Sequence, residues 1–455
     1  MIKNTIAAVA TPIGAGGISI VRVSGENALK IADKMFTTPN KQVMSTLSAR
    51  SLYYGTVKTT KFSDICLCVY FKAPNSYTGE DVIEFQSHGG VKIAEGILNE
   101  CIILGARIAE AGEFTKRAFL NGKTTLENAE GVIDMINAES EAEIKAAYSL
   151  VAGELNSRVV EIQNILTDTT AQVEAELDYP EYDIEAAKVS ELNQKLQLAC
   201  DNIGKLLLTS ETGQLIKNGI NVVIIGSPNV GKSSLLNALL NSERAIVTDI
   251  AGTTRDTLTE SYVYDGIKVN IVDTAGIRES VDIVEQIGIK RAKNALMQSD
   301  IALLVLDSSR ALSTDDINNI NLVKNHRKIV VINKDDISKK ELLNKELYFD
   351  KNQEIINISA LNKSGIVELK KAIYNAVIDK NIISSSLIIT NMRHIKALEY
   401  AKVALQSAKS ALENQSMDCV ADDIRTAWEK LGEITGQVYT EEVLNAIFSK
   451  FCLGK

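Results

Sequence analysis

Lys232 and Ser233 close the run Gly226-Ser-Pro-Asn-Val-Gly231-Lys232-Ser233-Ser234. A lysine and a hydroxyl at GxxxxGK[ST] spacing are suited to gripping a polyphosphate. The glycines let successive N–H groups turn inward on phosphate oxygens. Lys232 then reaches the terminal phosphates, and the Ser233 hydroxyl offers a ligand to Mg2+. The flanking elements position both groups. Val222-Val-Ile-Ile225 reads as a strand and Leu235-Leu-Asn-Ala-Leu-Leu240 as a helix, whose N-terminus aims its positive dipole end at the same phosphates.

Three further clusters follow in order. Gly252-Thr253-Thr254-Arg255-Asp256 lies where a first switch belongs, with Thr254 placed to complete Mg2+ coordination when the γ-phosphate is present. Asp273-Thr-Ala-Gly276 follows the apolar strand Val269–Val272, so its carboxylate can hold Mg2+ through water and the Gly276 N–H can meet the γ-phosphate. Asn333-Lys334-Asp335-Asp336 follows the strand Lys328–Ile332. The Asp336 carboxylate offers two acceptors to the ring N–H and exocyclic NH2 of guanine, where adenine would present an acceptor of its own. Hydrogen bonds to a charged group are worth about 1.5–3 kcal/mol each, enough to select guanine. Ser359-Ala360-Leu361 ends the next strand and supports the base through backbone N–H groups. Together the four motifs point to GTP. Ile277 stands where Ras-like enzymes carry a water-orienting glutamine, so hydrolysis needs another device. The Asn229 carbonyl oxygen, in the phosphate loop, is suited to a monovalent cation that supplies the missing charge.

The strands named, with Ile301–Asp307 and Glu354–Ile358, alternate with polar helices over residues 217–379, which argues a mostly parallel sheet covered on both faces. Residues 1–120 read as an α+β unit, with strands at Thr5–Ala10, Gly17–Val23, Ile65–Phe71 and Val82–Gln86 and helical spacing at Asn27–Met35, Val91–Leu104 and Phe114–Leu120. Helix dominates 121–216, where Leu155, Val159, Ile162, Leu166, Val173 and Leu177 form an apolar stripe, and again 380–455. The expected architecture is therefore multidomain α/β: an α+β N-terminal domain, a discontinuous α-helical domain, and a P-loop nucleotide domain inserted into it.

The chain has 455 residues, 45% of them hydrophobic and 24% charged, and a formal net charge of -9. Several domains are expected at about 100–200 residues each. A whole-surface nucleic-acid binder would lean basic, so any RNA contact must use a local patch. No apolar run of about 18 residues occurs, which argues against a spanning helix. Six scattered cysteines and no secretory pattern suit reduced thiols in a cytoplasm.

These motifs, with Ala10-Thr-Pro12, Asn75-Ser-Tyr-Thr-Gly-Glu-Asp81, Gly112-Glu-Phe-Thr-Lys-Arg-Ala-Phe-Leu-Asn121, Asp273-Thr-Ala-Gly-Ile-Arg278 and the C-terminal Cys452-Leu-Gly-Lys455, resemble the MnmE (TrmE) family of tRNA-modification GTPases over nearly the whole chain. The family pattern usually has isoleucine where Leu453 stands. The resemblance implies a homodimer built through the N-terminal domain, which also binds 5,10-methylene- or 5-formyl-tetrahydrofolate. It implies potassium-stimulated dimerisation of the nucleotide domains and GTP hydrolysis. With the FAD-dependent partner MnmG, in a heterotetramer, the family modifies carbon 5 of the wobble uridine in certain tRNAs; FAD belongs to the partner alone.

By motif position, Asn229, Thr248, Ile250 and Thr253 would hold K+, and Ser233 and Thr254 Mg2+. Glu285, in Val284-Glu-Gln-Ile-Gly288, would orient the attacking water. Contacts to GTP would run over Asn229, Val230, Gly231, Lys232, Ser233 and Ser234, then Thr248, Asp249, Ile250, Ala251, Gly252, Thr253 and Thr254. They continue through Asp273, Thr274, Ala275 and Gly276 to Asn333, Lys334, Asp336, Ser359, Ala360 and Leu361. Arg22, Glu80 and Lys123 would meet the folate, with Lys455 nearby. Arg22 and Lys123 are plausible countercharges for its glutamate tail and Glu80 an acceptor for its pterin. Cys452 joins Glu285, Asn229 and Lys232 as a catalytic candidate through the resemblance; by its residue type alone it is an ordinary terminal thiol.

Other groups read as structural. Cys66 and Cys68 share one side of an apolar strand and lack partners at zinc-like spacing. His88 reads as structural, His326 and His394 as solvated, and the acidic stretch Glu139–Glu143 as an exposed helix face. Two other functions compete: a GTP-switched RNA-binding or ribosome-assembly factor without modification chemistry, and a folate enzyme regulated by its nucleotide domain.

Overall fold

The computed structural model describes residues 4–178, 186–240, 260–273, 293–337, 349, 353–378, 387–414 and 416–455. The chain divides into two compact units. One comprises Met1–Ile136, Leu150–Leu196 and Val403–Lys455, the other Asn137–Ser149 and Gln197–Lys402.

The first unit contains a seven-stranded sheet of β1 (Ile6–Val9), β2 (Ile18–Ser24), β3 (Phe36–Thr37), β4 (Leu52–Lys58), β5 (Ser63–Phe71), β6 (Val82–His88) and β7 (Arg107–Ile108), in the order β3-β4-β5-β6-β2-β1-β7. Every pairing is antiparallel except β1 with β7. Strand alternation separates two functions along β2. Val21 and Val23 enter the larger core with Ile31, Met35, Phe85 and Ile97, so helices Ala28–Met35 and Val91–Ile103 cover that face. Arg22 and Ser24 fall on the opposite face, where Ile6, Ala8, Ala109 and Phe114 form a smaller core. The register sets Arg22 directly opposite Glu84.

Cys66 and Cys68 are both buried on one side of β5. Burial pushes the Cys66 thiol up to about 12 and raises Cys68 as well, so neither is a ready nucleophile. Among the described residues no group of His, Cys, Asp and Glu is placed to hold a metal. The helix Glu154–Asp178 packs on Met417–Thr435. Its stripe Leu155, Val159, Ile162, Leu166 and Val173 is fully buried, and Gln163 Nε2 donates to Trp428 O at 3.3 Å and Gln437 Oε1 at 3.1 Å. The C-terminal helix Glu441–Phe448 lies on Glu113–Leu120; a Cβ at Gly112 would come within 2.5 Å of Phe448 O.

The second unit contains β8 (Ile220–Ile225), β9 (Glu260–Tyr264), β10 (Ile267–Asp273), β11 (Ile301–Asp307), β12 (Lys328–Asn333) and β13 (Ile355–Asn357), in the order β13-β12-β11-β8-β10-β9. All neighbours are parallel except β9 and β10. Val222, Ile224, Leu303, Val305, Ile329 and Val331 pack on one face with residues of helices Lys232–Leu240 and Ile366–Val377. The alternate residues Val223, Ile225, Ala302, Leu304, Val330 and Ile332 pack on the other with Ile320, from helix Thr314–Leu322. Burial on both faces explains the unbroken apolar runs. The sequence pattern missed β9. Asp265 and Gly266, both at positive φ (48° and 76°), make its two-residue hairpin to β10, a turn signalled by the Asp-Gly pair.

His394 is fully buried rather than solvated, because its helix, Met392–Glu413, turns this position into the apolar interior with Ile395 and Leu398; Nε2 meets Arg393 Nη2 at 3.0 Å. His88 is exposed, its Nδ1 2.8 Å from Asp64 Oδ1. Within the acidic stretch, Glu139 is exposed and paired with Lys268, whereas Glu143 is half-buried and bonded to Ser140 and to the Glu139 N–H.

Candidate nucleotide and N-terminal sites

The strand order turns at β8. β10 lies on one side of it and β11 on the other, the switch point at which open α/β sheets bind ligands, at the carboxyl ends of their strands. The phosphate loop leaves β8 there and enters Lys232–Leu240 directly. Two glycines are sterically required. A Cβ at Gly226 would sit 2.5 Å from Val305 O, and one at Gly231, where φ is 96°, 2.3 Å from Asn333 Nδ2. Asn229, at the exposed tip, is left-handed with φ 60°. Lys232 Nζ donates to Gly226 O at 2.7 Å and Ser227 O at 2.9 Å. Ser233 and Ser234 are exposed on the first turn of the helix, a fitting place for a hydroxyl ligand to Mg2+.

Asn333 ties three motifs together. Its Nδ2 donates to Val230 O at 2.8 Å and its Oδ1 accepts from Ala360 N at 3.0 Å. Lys334, with φ 68°, pairs with Asp307 Oδ2 at 2.6 Å. Burial would raise the Asp307 carboxyl, but Lys334 and Ser309 outweigh it and hold it below the usual range. Asp336 is exposed beyond β12 and leaves its carboxylate open to a base. Ser359 is buried and accepts from Asn362 N at 3.1 Å, while the Leu361 side chain is 80% exposed. The backbone of Asp273 ends β10 on the same edge. Thr248, Asp249, Ile250, Ala251, Gly252, Thr253, Thr254, Thr274, Ala275, Gly276 and Glu285 lie outside the described residues, as does the Asp273 side chain.

In the first unit the structure brings Arg22, Glu80 and Lys455 into one polar region. Arg22 Nε meets Glu84 Oε1 at 2.8 Å and Nη1 donates to Gly454 O at 3.2 Å. The guanidinium lies 5.7 Å from the ring centres of both Tyr77 and Phe114. Glu80 accepts from Arg117 Nη1 at 2.9 Å and from Ser24 Oγ at 2.8 Å. Arg117 is 2% exposed and also bonds Glu113 Oε1 at 2.9 Å and Asn4 O at 2.8 Å. The tail is built into this region. Phe114 N donates to Lys455 O at 3.3 Å, and Gly454, with φ 93°, leaves no room for a Cβ 2.3 Å from Val9 O. Burial and the neighbouring Arg22 lower the Lys455 pKa. Lys123 is exposed, its chain beside Gly79; Cys452 is exposed too. Residue patterns missed Arg117, Glu113, Glu84 and Ser24; Arg117 and Glu113 stand inside the Gly112–Asn121 run already singled out, and that run was the available signal.

A phosphate loop opening a helix, with the Asn333–Asp336 loop bonded to it at the carboxyl edge of a mostly parallel sheet, is the arrangement of a P-loop GTPase. Residues 5–123 match the family described as GTP-binding protein TrmE N-terminus, and residues 126–452 the MnmE helical domain. The chain is 44% identical, over the full length of both, to the tRNA modification GTPase MnmE of Clostridioides difficile. It is 42% identical to that of Bacillus licheniformis, covering 99% of this chain and 100% of the relative. A solved structure of Aquifex aeolicus Era bound to GDP.AlF4- is 30% identical over 40% of this chain and 66% of that one, with a TM-score of 0.29. The chain belongs to the MnmE family of tRNA modification GTPases. It is a GTP hydrolase, and no described helix is long and apolar enough to cross a membrane.

Proposed function

We propose that this protein is a potassium-activated GTPase which, with the flavoprotein MnmG, takes part in (carboxymethyl)aminomethyl modification at carbon 5 of the wobble uridine of certain tRNAs in the cytoplasm. Its one-carbon unit comes from a tetrahydrofolate. The observation that carries the reading is full-length likeness to the MnmE relatives together with a nucleotide site and an N-terminal polar site in one chain.

Residues 1–120 form the folate-binding and dimerisation domain, 121–216 and 380–455 the helical domain, and 217–379 the GTPase domain. In the nucleotide site the loop N–H groups of Asn229–Ser234 and the Lys232 ammonium hold the phosphates. Asn333, Lys334 and Asp336 read guanine with Ser359, Ala360 and Leu361. Ser233 and Thr254 are the Mg2+ ligands, the ion stabilising charge on the phosphates when bound. Asn229, Thr248, Ile250 and Thr253 seat K+, which supplies positive charge in place of an arginine finger. Thr248–Thr254 and Asp273–Gly276 complete the phosphate contacts, and Glu285 orients the attacking water. In the N-terminal site Arg22, Lys455 and Lys123 offer positive charge to the folate's carboxylates, and Glu80 faces its pterin. Burial depresses Lys455 beside Arg22, so an anion there relieves repulsion between two cations. Cys452, on the same tail, is the candidate reactive thiol. The homodimer is built through residues 1–120, and MnmG joins it in a heterotetramer.

The test is mass spectrometry of wobble uridines from cells lacking the protein. Unmodified target uridines are expected; normal nucleosides with defective ribosomal subunits would replace this reading with a ribosome-assembly role.

A further inference from the structure

Ser227 of the phosphate loop belongs to a buried polar cluster whose other members lie outside the GTP-binding motifs. Ser227 is 3% exposed and Asp316 1% exposed, and their side chains meet at 2.6 Å between Oγ and Oδ1. The Asp316 carboxylate also accepts from Arg310 Nη1 at 2.6 Å, from Ser313 N at 2.8 Å and from Ser313 Oγ at 2.8 Å. It thereby completes a capping box at the start of helix Thr314–Leu322. Every one of these partners is a donor, which suits an acceptor-only carboxylate and leaves the Ser227 hydroxyl no choice of direction. The GxxxxGK[ST] pattern does not call for a hydroxyl at the position of Ser227.

The location gives the cluster its consequence. Lys232 Nζ rests on the carbonyls of Gly226 and Ser227; Gly226 is pressed against Val305 O of β11 and Ser227 is bonded to Asp316. When a phosphate draws the ammonium away, those carbonyls lose their donor, and only the surrounding structure keeps the segment in register. We propose that Asp316 is a positioning residue for GTP turnover, fixing the Gly226–Ser227 segment through the Ser227 hydroxyl while Lys232 moves between the loop carbonyls and the phosphates. Arg310 neutralises the carboxylate, so the anchor repels incoming phosphate less than a bare charge would.

The experiment is steady-state GTP hydrolysis and thermal melting of the full chain as Ser227→Ala, Asp316→Ala, the double variant and Ser227→Thr. Misplacing a phosphate-gripping segment by a fraction of an ångström is expected to lower kcat/KM by about tenfold or more. Ser227→Ala should show that loss with a melting temperature close to wild type, since the helix cap and the Arg310 pair remain; Ser227→Thr, which keeps the hydroxyl, should recover most of it. The double variant should be no slower than the slower single, because both changes cut one link. Wild-type turnover in Ser227→Ala would overturn the proposal, as would multiplying rate losses in the double variant. Should Asp316→Ala fail to fold, the Ser227→Ala and Ser227→Thr pair decides alone, a loss not recovered by threonine counting against the hydroxyl link.

Discussion

Asn333 donates its side-chain N–H to the Val230 carbonyl at 2.8 Å, so the loop after β12 and the glycine-rich loop after β8 are one hydrogen-bonded piece. The same side chain accepts from Ala360 N, which adds the third loop. Replacing it with alanine leaves a buried carbonyl and a buried N–H unpaired, at about 1–3 kcal/mol each. Asn333→Ala should therefore lower both stability and guanine-nucleotide affinity, the latter by at least about tenfold. Chemical denaturation and titration with a fluorescent GDP check the two; unchanged affinity would refute the bridging role.

Asp336 is exposed beyond β12. Asp336→Asn should shift preference from guanine towards xanthine nucleotides, because an amide matches the carbonyl that xanthine carries in place of the exocyclic NH2. Competition between GTP and XTP measures this, and GTP affinity equal to wild type would dismiss the assignment.

Asp316 makes stability depend on acid. Burial would raise its carboxyl, but Arg310, Ser227 and Ser313 overcome that and hold it at about 2, below the ordinary value of about 3.9. The unfolded chain thus takes the proton first as pH falls. The stabilisation is complete above about pH 4 and lost on the way down to about 2. Acid unfolding of Asp316→Asn should show a shallower dependence across that window than wild type; parallel curves would contradict the assignment.

Gly454 offers a test of the N-terminal site that leaves its charges in place. A Cβ there has no room beside Val9 O, and φ is 93°. Gly454→Ala should lift the tail, remove the carbonyl that Arg22 Nη1 reaches, and weaken binding of a reduced folate by about tenfold or more. Equilibrium dialysis with the full chain reads the effect, and wild-type binding would separate the tail from the site.

The parts legible in the sequence were those with local signatures. Gly226–Ser234 and Asn333–Asp336 announce themselves by spacing, and the strands of the parallel sheet by their unbroken apolar runs. β4 and the two-residue strands β3 and β7 were not legible, because Leu52–Lys58 alternates polar and apolar residues weakly and the short strands depend wholly on their neighbours. Nor does periodicity reveal pairs such as Ser227 with Asp316 or Glu80 with Arg117, which are 89 and 37 residues apart. His394 misled because its neighbours Arg393 and Lys396 are polar, while the position itself faces inward. Burial of a polar group is decided by tertiary packing, which the local sequence does not encode.

In the proposed reaction a monovalent cation held by Asn229 supplies the positive charge that an arginine finger supplies in other GTPases. Steady-state GTP hydrolysis by the full-length protein, at equal ionic strength in KCl and in NaCl, measures it. Turnover at least about tenfold faster in potassium, with the difference abolished in Asn229→Ala, is the predicted result. Equal rates in the two salts would contradict it.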